Sequence, residues 1–164
     1  MRPRVSNNQN NRGQNHSQNS NADYDIKKWV ANGIDSEFIK KANDLGELLN
    51  KPFGDDQNDN GLKKKNEKNA LTTSQIRNIF GEMRRIQMNG YKKEKAAFLL
   101  LKPKLAYAVK RNENMGIKIF KDIFYSGYDA IDKGNDDIGA KQFENFINII
   151  EAILAYHKYY GGKD

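Results

Sequence analysis

From Ile76 to Leu154 the apolar residues return every three or four positions. A chain patterned at that spacing hides one face of a helix and shows the other to solvent. Ile76, Ile79, Phe80, Met83 and Ile86 form one such stripe. Ile117, Phe120, Ile123, Phe124 and Ile131 form another, and Phe143, Phe146, Ile147, Ile150, Ile153 and Leu154 a third. No segment alternates at period two between turn signals, so strands are not expected. The expected class is all-α, a small bundle of about five to six helices with a disordered Asn/Gln-rich tail in front of it.

The end signals set the boundaries. Thr72 and Gln75 have capping-box spacing, and Gly90 closes the helix that they open. A helix over about 92–101 carries Ala96, Ala97, Leu99, Leu100 and Leu101. Pro103 follows it and removes a backbone donor, so a break or kink is expected there before the chain continues through Leu105, Ala106, Tyr107 and Val109. Further helices are expected over about 114–132 and 139–160, the last stopped by Gly161 and Gly162. Upstream lies a short helical pair. Ile26, Trp29 and Val30 end at Gly33; Asp35 then caps a helix with Phe38, Ile39, Ala42, Leu45, Leu48 and Leu49 on one face, slightly weakened by Gly46.

Only 37% of the 164 residues are hydrophobic, against roughly 45–50% for a typical globular chain. The deficit sits in two places. Residues 1–22 are an Asn/Gln/Ser tract with too little apolar surface to offset the entropy of ordering, so a disordered tail is expected. Residues 50–69 hold Pro52, Gly54 and Gly61 without periodicity and suit a polar linker or loop. The domain reading is therefore a 1–22 tail, a 23–49 helical pair, a 50–69 linker and a 70–164 main bundle.

Charge is focused more sharply than the net +7 suggests. Between residues 75 and 111 ten basic side chains face only Glu82 and Glu94, a local charge of +8. Focused positive charge concentrates polyanions. Chemistry beyond charge is sparse. The chain has no Cys and only His16 and His157, which removes disulfides, thiolate metal sites and cysteine nucleophiles and leaves little for a His-ligated metal. No phosphate-cradling glycine motif occurs. His157 reads as an amphipathic surface residue. The pairs Asp55–Asp56 and Asp136–Asp137 read as solvated loop carboxylates rather than a Mg²⁺ site. Tyr156, Tyr159 and Tyr160 could stack on bases or seal the last helix against the core, and the sequence leaves both open. No apolar run of about 18 residues exists to span a membrane. The first residues hold arginines without the apolar stretch of a secretory signal. No enzyme, metal or cofactor is expected, and the expected location is cytoplasmic.

Three segments, LTTSQIRNIF (71–80), LLLKPKLAYAVKR (99–111) and FENFINIIEAILAYHKYYGGKD (143–164), resemble, in order and at plausible spacing, the small subunit of type III-A CRISPR interference complexes, the second subunit of the Csm complex. The resemblance covers about residues 71–164. It implies a small all-helical protein without catalytic activity, present in several copies. Those copies pack beside the backbone subunits and flank the duplex of crRNA and target RNA. RNA cleavage would belong to the backbone subunits, and DNA cleavage and cyclic-oligonucleotide synthesis to the large subunit. The resemblance also implies RNA-backbone contacts by Arg77, Lys102, Lys104, Tyr107, Lys110 and Arg111, which lie in the matched segments. Charge placement adds Arg84 and Arg85.

Two other readings remain at this point. One is a helix-turn-helix DNA-binding protein using the helices at 72–89 and 92–101, although the second is Leu-rich and short of base-reading side chains. The other is a protein-only helical adaptor.

Overall fold

Asp35 starts the first long helix by accepting a hydrogen bond from the Phe38 amide at 2.8 Å on Oδ1, and the same oxygen takes the Trp29 indole N–H at 2.9 Å. One carboxylate thus joins the short helix α1 (Lys27–Asn32) to α2 (Ser36–Asn50). The computed structural model describes residues 24–57, 63–65 and 70–162; the expected disordered tail at 1–22 lies outside the described residues. Four further helices complete the bundle: α3 (Thr73–Asn89), α4 (Lys95–Asn112), α5 (Met115–Ala130) and α6 (Asp136–Tyr159). The all-α class is as expected. The segment read as a linker carries a short antiparallel ribbon, β1 (Phe53–Gln57) with β2 (Lys63–Lys65), pairing Phe53 with Lys65 and Gln57 with Lys63.

Side-chain caps set the starts of α3, α5 and α6. The Gln75 side chain accepts from the Thr72 amide at 2.9 Å, one half of the anticipated capping box. Asn114 accepts from the Ile117 amide at 2.9 Å, and Asn135 from the amides of Asp137 and Ile138, both at 3.1 Å. The last cap moves the start of α6 forward. Asp136 and Asp137 therefore sit in its first turn, where acids complement the helix dipole, and not in a loop. Asp136 pairs with Lys95 at the start of α4.

Pro103 lies inside α4, which runs on as one helix, so of the break or kink that the sequence suggested there is no break. A proline at this position takes away the amide that would bond the Leu99 carbonyl one turn back. The Tyr128 hydroxyl of α5 donates to that carbonyl at 3.2 Å, and the Tyr125 hydroxyl donates to the Lys102 carbonyl at 3.4 Å. Phe98 and Leu101 before the proline and Leu105 after it are fully buried, so α4 is anchored on both sides. The Leu-rich run is not wholly core. Leu99 and Leu100 are exposed, because only positions 98, 101 and 105 share the inward face.

The core is aromatic. Phe98, Phe120, Phe124, Phe143 and Phe146 are fully buried. Phe98 lies 4.8 Å from Tyr128 and 5.3 Å from Phe143, and Phe124 lies 5.0 Å from Phe146. Such pairs contribute about 0.5–1.5 kcal/mol each beyond area burial. The helix α2 crosses α6 at Gly46, where an added Cβ would stand 2.5 Å from the Tyr156 Cβ and 2.7 Å from the His157 amide nitrogen. The sequence treats Gly46 as a weak point; the packing makes it the position where two backbones touch. His157 is also placed differently from its surface reading. It is 2% exposed, and its Nε2–H donates to the Leu71 carbonyl at 2.8 Å, tying α6 to the chain leading into α3.

Two outcomes follow from this packing. Gly46→Ala adds up to about 1 kcal/mol of helix propensity but forces two helix backbones apart, which costs about 1–3 kcal/mol. The expected net is a loss of up to about 2 kcal/mol, or up to roughly 8 °C in thermal midpoint for a chain of this size, read by circular dichroism. For His157, burial holds the pKa below its ordinary 6.5. The folded state therefore binds this proton less readily than the unfolded chain. The stability that this group contributes is complete above pH 6.5 and is lost as pH falls from there toward the folded pKa. Urea titrations should show that decline, at no more than about 1.4 kcal/mol per pH unit, and His157→Gln should flatten it.

Candidate nucleic-acid interface

The helices α3 and α4 lie side by side and leave a groove of about 1110 Å³ between them. From α3 it is lined by Ser74, Gln75, Arg77, Asn78, Ile79, Gly81, Glu82 and Arg85. From α4 it is lined by Leu100, Pro103, Lys104, Tyr107, Ala108, Arg111 and Asn112. The α4 set steps by three and one along a single helical stripe, which only a helix continuous through Pro103 can present.

Of the eight residues expected at the site, five line this groove: Arg77, Arg85, Lys104, Tyr107 and Arg111. Two of these cations are already engaged. Glu82 accepts from Arg85 Nε at 3.0 Å and from Lys104 Nζ at 3.0 Å, and Arg85 also reaches Glu94 at 3.1 Å. The Arg85 and Lys104 hydrogen bonds hold the Glu82 carboxyl down at about 2, far below its usual range. Arg77 and Arg111, both exposed, pair with no acid among the described residues. Tyr107 is 71% exposed beside them.

The other three lie elsewhere. Arg84 bonds Glu151 of α6 and stands over the Phe80 ring, 5.3 Å from its centroid. Lys102 bonds Asp129 of α5 at 2.6 Å and stands 4.6 Å from the Tyr125 ring centroid. Both clamp one helix to another. Lys110 is well exposed and pairs with Glu113 at 2.7 Å, just past its own helix. Exposed pairs of this kind contribute only about 0–1 kcal/mol, so Lys110 remains available to a competing anion.

Asn78 and Asn112 are groove residues that the charge count does not single out. The 3–4 spacing of positions 74, 78, 81, 82 and 85 on α3 was the available signal. The tyrosines at the end of α6 divide their roles. Tyr160 donates to Asn43 Oδ1 at 2.9 Å and Tyr156 packs against the core, whereas Tyr159 is exposed. Among the described residues no group of three or more His, Asp or Glu converges as a metal site, and no helix is long and apolar enough to cross a membrane.

The fold and the groove define a small helical protein whose distinguishing chemistry is positive charge on a shaped surface. The chain matches the family model for Csm2 Type III-A over residues 35–163 and belongs to that family. It is thus a small subunit of the type III-A CRISPR Csm complex, and the family is structural rather than catalytic. The match begins at Asp35, so α2 belongs to the family unit along with the helices after it. No curated protein and no solved structure matches the chain.

Proposed function

We propose that this subunit binds RNA of the Csm complex along the α3–α4 groove, through phosphate contacts that do not read sequence. Copies of the subunit would lie beside the backbone and large subunits and line the duplex of crRNA and target RNA in the cytoplasm. The observation that carries this reading is the placement of Arg77 and Arg111, two guanidinium groups with no acidic partner among the described residues, on the α3 and α4 walls of one groove. Guanidinium groups match phosphate oxygens with two parallel hydrogen bonds. In an RNA-guided complex base pairing carries the sequence information, which leaves the protein to hold backbone and shape. Arg85, Lys104 and Lys110 would strengthen the field around the groove, whereas Arg84 and Lys102 act chiefly within the bundle. Single copies would bind weakly, and repeated copies along one RNA would multiply those contacts.

The protein-only adaptor is the rival that the exposed Leu99, Leu100 and Tyr107 support. Charge reversal separates the two. Arg77→Glu with Arg111→Glu should weaken binding of the full-length chain to single-stranded RNA of any sequence. It should also lower the log–log salt slope by roughly 0.7 for each phosphate that is no longer neutralised. The same charge change at Lys40 and Lys141, exposed on α2 and α6 outside the groove, should leave both quantities nearly unchanged. Folding should persist in both variants, because exposed charges add little to stability. If the groove variant folds and keeps its RNA affinity and salt slope, the adaptor reading takes the lead.

A further inference from the structure

Tyr107 is the aromatic side chain among the described residues lining the groove, and it is 71% exposed. It has no hydrogen bond, ring contact or cation contact with any other described residue. One turn before it stand Pro103 and Lys104, and Leu100 stands two turns before; Arg111 lies one turn after it, and Arg77 lines the same groove from α3. A groove that combines an exposed aromatic ring, the apolar side chains of Leu100 and Pro103, and two guanidinium groups without an acidic partner among the described residues is chemically mixed. Phosphate contact alone calls for the arginines and gives the ring nothing to do.

In paired RNA the base faces are already stacked and the edges already bonded, so an aromatic side chain finds no free surface there. An unpaired base offers its whole face, and aromatic side chains flanked by cations are how proteins hold single strands. The groove, at about 1110 Å³, slightly exceeds the clefts that hold small ligands, roughly 300–1,000 Å³, and is ample for a nucleotide.

We propose that the groove holds an unpaired nucleotide, its base stacked on Tyr107 and its flanking phosphates held by Arg77 and Arg111. This rests on the reading that the groove binds RNA, and it adds a selectivity that backbone contact lacks. The subunit prefers unpaired or splayed nucleotides to continuous duplex. The hydroxyl takes no part, because the ring supplies the stacking surface.

Fluorescence anisotropy on the full-length chain at low salt tests this with three labelled probes. They are a short RNA single strand, its blunt duplex, and the same sugar-phosphate chain with the bases removed. The wild type should bind the single strand most tightly. Tyr107→Ala should cut single-strand affinity about five-fold or more and leave the base-free strand unchanged, with the helical circular dichroism intact. Tyr107→Phe should bind as the wild type does. The Arg77→Glu, Arg111→Glu pair should weaken all three probes. If Tyr107→Ala binds every probe like the wild type while the arginine pair still weakens them, the nucleotide pocket is wrong and the phosphate groove stands. If the wild type binds none of the probes, the RNA reading fails and this inference fails with it.

Discussion

The Tyr128 hydroxyl on the Leu99 carbonyl is the contact on which the rest of the surface depends. A proline in the interior of a helix costs about 3 kcal/mol. Part of that cost is the carbonyl left without its amide, and here a neighbouring helix supplies a donor. The remainder is offset by Phe98, Leu101 and Leu105, which bury α4 on both sides of Pro103. If α4 ended at Lys102, nothing would keep Lys104, Tyr107 and Arg111 on the same stripe as Leu100. The groove exists because α4 carries one helical phase from end to end.

Electrostatics then sorts the basic residues by what they face. Ten bases between residues 75 and 111 make the segment positive, but their charges are not equally available. Arg84 and Lys102 bridge α3 to α6 and α4 to α5, and Lys95 holds the start of α4 to the start of α6. Arg85 and Lys104 share Glu82 inside the groove, so an incoming anion must compete with a carboxylate already seated there. Arg77 and Arg111 face no such competitor among the described residues. If the subunit holds RNA phosphates as proposed, a few strong contacts suffice, since neighbouring copies would add theirs.

Much of the fold was legible because helical signals are local. The stripes from Ile76 to Leu154 and the Thr72–Gln75 cap need only spacing and a few end residues. Pro103, Gly46 and His157 were not legible, for one shared reason. Each is decided by a partner far along the chain: a tyrosine hydroxyl on α5, the backbone of α6, and the carbonyl of Leu71. The same limit applies to the site. Counting charge singled out the segment that walls the groove, and the family segments brought in Tyr107. Separating Arg77 and Arg111 from Arg84 and Lys102 required knowing where Glu151 and Asp129 stand.

Ultraviolet crosslinking of the assembled Csm complex on its target RNA, followed by mass spectrometry of this subunit, tests RNA binding along the α3–α4 groove most directly. The expected result is RNA adducts concentrated on peptides from α3 and α4, with Tyr107 among the modified residues. Adducts confined to α2 or α6, or a subunit that carries none while its neighbours are labelled, would contradict it.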